Sequence, residues 1–168
     1  MSALDGPHSS AVGHASALSL ELLLRNLPGA AYRCLNDGDW TMEFVSDGIE
    51  RLTGYPATAF MARPGLHYAD IIFPEDRYAV QRNIAAALDE GSEFQLTYRI
   101  RCANGELKWV YEQGAAAPLS RGQMLVGLLF DFTRVRNADM LVHEQASYLQ
   151  RALEQLYLSG AMLEKYRS

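Results

Sequence analysis

An α+β fold with a five-stranded antiparallel sheet is predicted on three observations. Strand-like and helix-like stretches are segregated: two short β-patterned runs, then several short helices and one longer one, then three long β-patterned runs. That order builds an antiparallel sheet rather than a parallel doubly wound one. The segment Tyr98–Gly114 (YRIRCANGELKWVYEQG) places Asn104-Gly105 between two such runs, the signature of a two-residue type I′ hairpin in which both central residues take positive φ. Finally, Phe94, Leu96, Tyr98 and Ile100 alternate with Gln95, Thr97, Arg99 and Arg101, so that strand buries one face and wets the other.

Residues 1–16 carry little hydrophobic pattern and read as a flexible tail. A short helix follows from about Ala17 to Asn26, with Leu18, Leu22 and Leu23 at helical spacing, and stops before Pro28 and Gly29. The first hairpin runs from Ala30 to Leu35, through the turn Asn36-Asp37-Gly38-Asp39, to Trp40–Ser46. Asp47 stands at an N-cap position with Glu50 where a capping box needs it, and Gly54 closes that helix with the left-handed geometry glycine allows. Helical turns are expected at Pro56–Met61 and His67–Ile72. A longer helix opens on Pro74-Glu75-Asp76, with proline at the first position and carboxylates in the first turn, and ends at Gly91. Its apolar stripe is Val80, Ile84, Ala87 and Leu88. Three strands complete the sheet: Glu93–Cys102, Glu106–Ala116 and Gln123–Thr133.

From Arg134 the pattern changes. Val135, Val142, Leu149, Leu156 and Leu163 recur every seven residues, and Ala146 and Leu153 fall at the other seam position. The segment 134–168 therefore reads as a helix suited to a two-stranded coiled coil. An amphipathic helix folded back on its own sheet is the competing reading. A helical pattern still running at Ser168 is what a piece of a longer protein would show.

The 168 residues are 49% hydrophobic and 21% charged, with a net charge of −5. This is ordinary for a globular domain with its own core, and the absence of a basic cluster argues against electrostatic nucleic-acid binding. No apolar run reaches the ~20 residues of a membrane helix, and no signal peptide is evident; a cytoplasmic location is expected. Cys34 and Cys102 lack metal-type spacing and read as reduced thiols. No Ser/His/Asp order, phosphate-binding Gly loop or HExxH occurs, and Glu75 and Asp76 are explained as helix-start carboxylates, so the chain is not expected to be an enzyme. His8 and His14 lack acidic or thiol partners that would make them a metal site.

Several segments, in order, resemble the PAS/PAC sensory module of bacterial signalling proteins. They are Asn26-Leu27-Pro28-Gly29 with Tyr32 and Arg33; Asp39–Gly54 with Tyr55 and Pro56; Phe73-Pro74-Glu75-Asp76-Arg77, where Phe73 replaces a usual histidine; Tyr98-Arg99, Asn104-Gly105, Trp109 and Gly114; and Gly127 with Asp131-Phe132-Thr133. The resemblance covers roughly residues 20–135. It implies a PAS fold with short helices on one face of the sheet, an N-terminal cap helix, a domain over 17–133 and a signalling helix over 134–168. It further implies a homodimer and a regulatory role in two-component or cyclic-dinucleotide signalling. The output would be a diguanylate cyclase, phosphodiesterase or histidine kinase in the same polypeptide. Asp131 and Thr133 would then form the relay, with Asp131 capping or anchoring the helix.

The resemblance also locates a ligand pocket between sheet and helices. Tyr32, Phe44, Tyr98, Trp109 and Phe130, from different strands, are its candidate walls; an aromatic-walled pocket suits a small organic ligand, and the same side chains filling the core is the alternative. Glu112 and Arg99 are possible polar anchors, although charges on alternating strand positions usually face water. No cysteine lies between Cys34 and Cys102, which argues against covalent flavin photochemistry. The long helix lacks a histidine for haem, leaving only His67 just before it. His143 lacks the continuation of a kinase phospho-acceptor motif and reads as a solvated helix residue.

Overall fold

The computed structural model describes residues 18–118 and 120–165, with side chains as far as Arg151. The expected tail, and with it His8 and His14, lies outside the described residues. Helix α1 covers residues 18–26. The sheet contains β1 (Gly29–Leu35), β2 (Met42–Val45), β3 (Phe94–Arg101), β4 (Leu107–Ala116) and β5 (Met124–Asp131). Between β2 and β3 lie α2 (Gly48–Thr53), α3 (Ala57–Met61), α4 (Tyr68–Ile71) and α5 (Pro74–Asp89); α6 spans Thr133–Lys165. The strand order is β2-β1-β5-β4-β3, with all adjacent pairs antiparallel.

The chain divides into two compact units, one ending at Phe132 and one beginning at Thr133. In the first, the inner sheet face and helices α2–α5 share one core. Tyr32, Tyr98, Ile100 and Leu129 from strands pack with Ile49, Phe60, Tyr68 and Ile84 from helices. Each aliphatic or aromatic side chain buried in this way contributes about 1.5–3 kcal/mol. In the second unit, the predicted seam residues Val135, Val142 and Leu149 are exposed; the side chains of Leu153, Leu156 and Leu163 lie outside the described residues. No helix among the described residues is long and apolar enough to cross a membrane.

Local signals differ in how they are used. Gly54 ends α2 at φ 78°, its N–H donating to the Glu50 carbonyl. Asp47, however, caps nothing with its side chain; the neighbouring Ser46 hydroxyl instead accepts from the Ala31 N–H and ties the helix start to β1. The Asn104-Gly105 hairpin is not type I′. Of the two residues only Gly105 has positive φ, 84°. Its N–H donates to the Cys102 carbonyl, and the Cys102 N–H donates to the Glu106 carbonyl, so three residues, 103–105, form the loop. The Asn104 side chain accepts from the Glu106 N–H, an Asx turn that holds this longer connection. The extra loop residue shifts β4 by one position against β3. A two-residue turn would set Trp109 opposite Ile100; here Trp109 lies opposite Arg99, and Glu112 opposite Leu96. A one-residue shift exchanges the two faces of a strand.

The start of α5 is fastened to β3 by charge. The Arg99 guanidinium donates to both Asp76 oxygens, Nε to Oδ2 at 2.9 Å and one Nη to Oδ1 at 2.7 Å, while the Arg99 N–H also reaches Oδ2 at 2.9 Å. Phe73 stands where its ring lies 4.2 Å beneath that guanidinium, a cation–π contact. The bonds from Arg99 hold the Asp76 carboxyl below the usual carboxylate range. This stabilisation is present above the unfolded value of about 3.9 and is lost as pH falls through the lower folded value. Urea midpoints measured between pH 2.5 and 6 should fall with acid for the wild type. In Asp76→Asn the fall should be smaller and the plateau lower.

Candidate functional site

The one-residue shift of β4 turns Val110, Glu112 and Gly114 inward. Glu112 is thereby placed in the core at 5% exposure. The Tyr32 hydroxyl of β1 donates to Glu112 Oε1 in a very short hydrogen bond, and the Tyr98 hydroxyl of β3 donates to Oε2 at 2.7 Å. Tyr68 of α4 continues the chain, its Oη 3.1 Å from that of Tyr98. One carboxyl group thus joins three strands and a helix. Burial pushes the Glu112 carboxyl above its ordinary range, against the pull of the two phenol donors. Burial, and then the Glu112 charge, pushes the Tyr32, Tyr98 and Tyr68 phenols up, so they stay neutral donors. Burial likewise raises the Cys34 thiol beside them.

Space for Tyr32 comes from two glycines. Gly114 of β4 faces Gly127 of β5, which in turn faces Tyr32 of β1. A Cβ at Gly127 would lie 2.6 Å from the Gln113 carbonyl oxygen and 2.7 Å from Tyr32 Oη; one at Gly114 would lie 2.8 Å from Tyr32 Oη. The bare strip lets the phenol lie across the sheet and reach Glu112.

Around this network remains a cavity of about 10 Å³, lined among others by Tyr32, Cys34, Trp40, Tyr68, Tyr98 and Glu112. That is room for one water molecule. Of the predicted walls the structure brings Tyr32 and Tyr98 together here. Phe44, Trp109 and Phe130 do not line the cavity. Phe44 pairs with the exposed Arg33 and is itself 40% exposed. Trp109 lies beside Arg99, 5.7 Å from its guanidinium. Phe130 stacks on Tyr111 at 6.5 Å. All three belong to the opposite sheet face by the pleat. Arg99, the other possible anchor, is held by Asp76 outside the cavity. Glu112, named with Arg99 as a possible anchor, is at the centre, against the usual preference of strand charges for water. Trp40, Met42 and Tyr68 also contribute to the lining, and none had been singled out. Their sequence signal was weak, because each comes from a turn or short element with no periodicity to assign a face. His67 also lies outside the cavity lining, its Nδ1 3.4 Å from Thr41 Oγ1. Among the described residues no group of three His, Cys, Asp or Glu side chains could hold a metal ion.

The sequence pattern of the PAS fold matches residues 42–127, from β2 through Gly127. The chain belongs to the PAS family. Its segment is 30% identical over 129 residues to the methyl sulfide methyltransferase-associated sensor of Methanosarcina acetivorans, covering 75% of this chain but 12% of that protein. The chain therefore spans a small part of that relative's length. Among solved structures, the PAS fold here resembles a sensory box histidine kinase/response regulator from Burkholderia thailandensis, with TM-score 0.63 and 20% identity over 79% of this chain and 98% of the other. It also resembles the N-terminal domain of a diguanylate cyclase with PAS/PAC sensor from Marinobacter aquaeolei, with TM-score 0.52 and 19% identity over 64% and 98% of the two chains. These likenesses establish a common fold. In this chain the core of the PAS fold holds the buried Tyr32–Glu112–Tyr98–Tyr68 network.

Proposed function

We propose that this PAS domain is a cytoplasmic, non-enzymatic signal-input module of a longer signalling protein, whose interior state is relayed through α6 to an output domain. The observation that carries the reading is the placement of Glu112. It lies on β4 directly opposite Leu129 of β5, and β5 ends at Asp131, two residues before α6 begins at Thr133. A change in hydrogen bonding at Glu112 would alter how β4 is tied to β1 through Tyr32 and to β3 through Tyr98, and β5, which lies between β1 and β4, would carry that change to the helix start. Such a two-state bias needs only a ligand or partner that prefers one state. The longer sensor that matches this segment supports an output domain in the same polypeptide. A histidine kinase, diguanylate cyclase or phosphodiesterase would fit it. The exposed Val135, Val142 and Leu149 suit a parallel helix pair in a homodimer.

Asp131 is held to β4 by Lys108 at 3.5 Å, and Phe132 N–H donates to the Trp109 carbonyl at 2.8 Å. Asp131 with Thr133 thus forms the proposed relay. Asp131→Ala should leave the unfolding free energy from urea titration within about 0.5 kcal/mol of wild type, as for an exposed site. In the full-length protein it should abolish the signal dependence of output; unchanged signalling would sink the relay.

The nearly filled core favours a second reading, a ligand-free dimerisation or docking module. Native mass spectrometry separates the two: a co-purifying small molecule supports the input module, and a bare homodimer whose output ignores Asp131→Ala supports the docking module.

A further inference from the structure

We infer that the cavity at Glu112 takes a small organic cation, a primary amine whose ammonium group sits against the Glu112 carboxylate and whose carbon tail lies in the groove outside Trp40. The inference rests on the input-module reading and specifies its ligand class.

Three observations carry it. First, the cavity has one carboxyl group and no basic side chain: Glu112 forms no ion pair among the described residues, and its partners are the neutral phenols Tyr32 and Tyr98. Those phenols, with Tyr68 and Trp40, line the cavity around the carboxyl. A carboxylate there is complementary to an ammonium group through a charge-assisted hydrogen bond, with hydroxyl oxygens nearby as further acceptors. The cavity volume of about 10 Å³ admits a group the size of water, which ammonium is. An organic anion would meet Glu112 with no cation to receive it.

Second, a surface groove of about 340 Å³ adjoins this cavity, and Trp40 and Ile84 line both. Trp40 and Ile84 are therefore the residues common to both. Trp40 has φ 50°, a left-handed conformation costly for a bulky residue and typical of clamps and switches. Entry of the carbon tail requires the Trp40 indole to swing aside and join groove to cavity.

Third, the groove is acidic. Asp37 lines it and accepts from the Thr41 hydroxyl at 2.6 Å and the Thr41 N–H at 3.2 Å. Its partial burial opposes ionisation, but these bonds prevail and hold its carboxyl below the ordinary range. Gln81 is the polar group that α5 contributes, and none of the lining residues is basic. A cation is drawn in by Asp37 and retained by Glu112.

Burial favours the protonated Glu112 carboxyl whereas an ammonium group against it favours the carboxylate, so binding is expected to tighten as pH rises through the Glu112 titration. The titratable groups facing Glu112 are Tyr32 and Cys34 of β1, Tyr98 of β3 and Tyr68 of α4; β2, α5 and β5 present Met42, Val80 and Leu129. None carries a competing charge.

The test is calorimetric titration of the full chain with n-butylamine, n-butanol and butyrate at pH 6 and 8. The expected result is binding of butylammonium alone, tighter at pH 8, and weakened about tenfold or more by Glu112→Gln, the loss of one charge-assisted contact. If Glu112→Gln does not fold, the wild-type comparison of the three probes decides. Equal binding of butanol or butyrate overturns the cation assignment while leaving the input module standing. Absence of butylammonium binding at millimolar concentration overturns it as well. The input reading fails separately, on the Asp131→Ala signalling measurement.

Discussion

Replacing Glu112 by alanine should destabilise the domain by about 3 kcal/mol or more, because two buried phenols lose their acceptor and a void opens between β1, β3 and β4. Glu112→Gln keeps the volume and one carbonyl acceptor and should cost about 1 kcal/mol in mildly acidic solution. Its informative effect is on pH dependence. Burial raises the Glu112 carboxyl above its ordinary range, so the folded protein holds that proton more tightly than the unfolded chain. Stabilisation from this group is complete below the unfolded value of about 4.3 and is lost as pH rises through the folded value. Urea midpoints measured from pH 4 to 9 should fall with rising pH in the wild type. They should stay flatter in Glu112→Gln, so that the gap between the proteins narrows toward alkaline pH. Parallel curves would show that Glu112 keeps an ordinary carboxyl in the fold. The Asp76–Arg99 clamp acts at the other end of the scale, so maximum stability should lie between the two.

Gly127→Ala is the second large effect. Its methyl group would meet the Gln113 carbonyl oxygen at 2.6 Å as well as Tyr32 Oη at 2.7 Å. A main-chain oxygen held in a sheet cannot move aside as a flexible side chain can, so the cost should be about 2 kcal/mol, within the range of overpacked cores. Part of that cost passes through Tyr32, whose phenol is pushed away from Glu112. In a double-mutant cycle with Tyr32→Phe, the two changes should therefore be less than additive, with a coupling of about 0.5–1 kcal/mol. Strict additivity would show that the glycine serves only the β4–β5 backbone contact.

Local signals in this sequence suffice where one element alone produces them. The alternation in Phe94–Arg101 produced β3 with Tyr98 inside. Pro74, Glu75 and Asp76 opened α5, and Gly54 closed α2. The candidate site was only half legible, for a reason located in three residues. Asn104-Gly105 suggested a two-residue turn, although the expected strand ends at Cys102 and Glu106 left three residues between them; with Ala103 in the loop, the whole of β4 turns over relative to the two-residue turn. Trp109 leaves the expected pocket and Glu112 enters it by the same shift. Trp40 differs for another reason: expected to open the second strand, it stands before β2, which begins only at Met42, so no strand alternation sets its face, and its position at the cavity depends on α5, whose Ile84 lines the same space.

By itself, then, the sequence determined the order and type of the elements, the antiparallel sheet and the PAS membership, because each rests on short-range periodicity, turn chemistry or a family pattern. The tertiary structure alone decided which face of β4 is buried, that Gly114 and Gly127 meet to seat Tyr32, and that one carboxyl group joins β1, β3, β4 and α4. These depend on register and on contacts between residues as far apart as Tyr32 and Glu112, where loop length and side-chain volume, rather than local preference, determine which atoms meet.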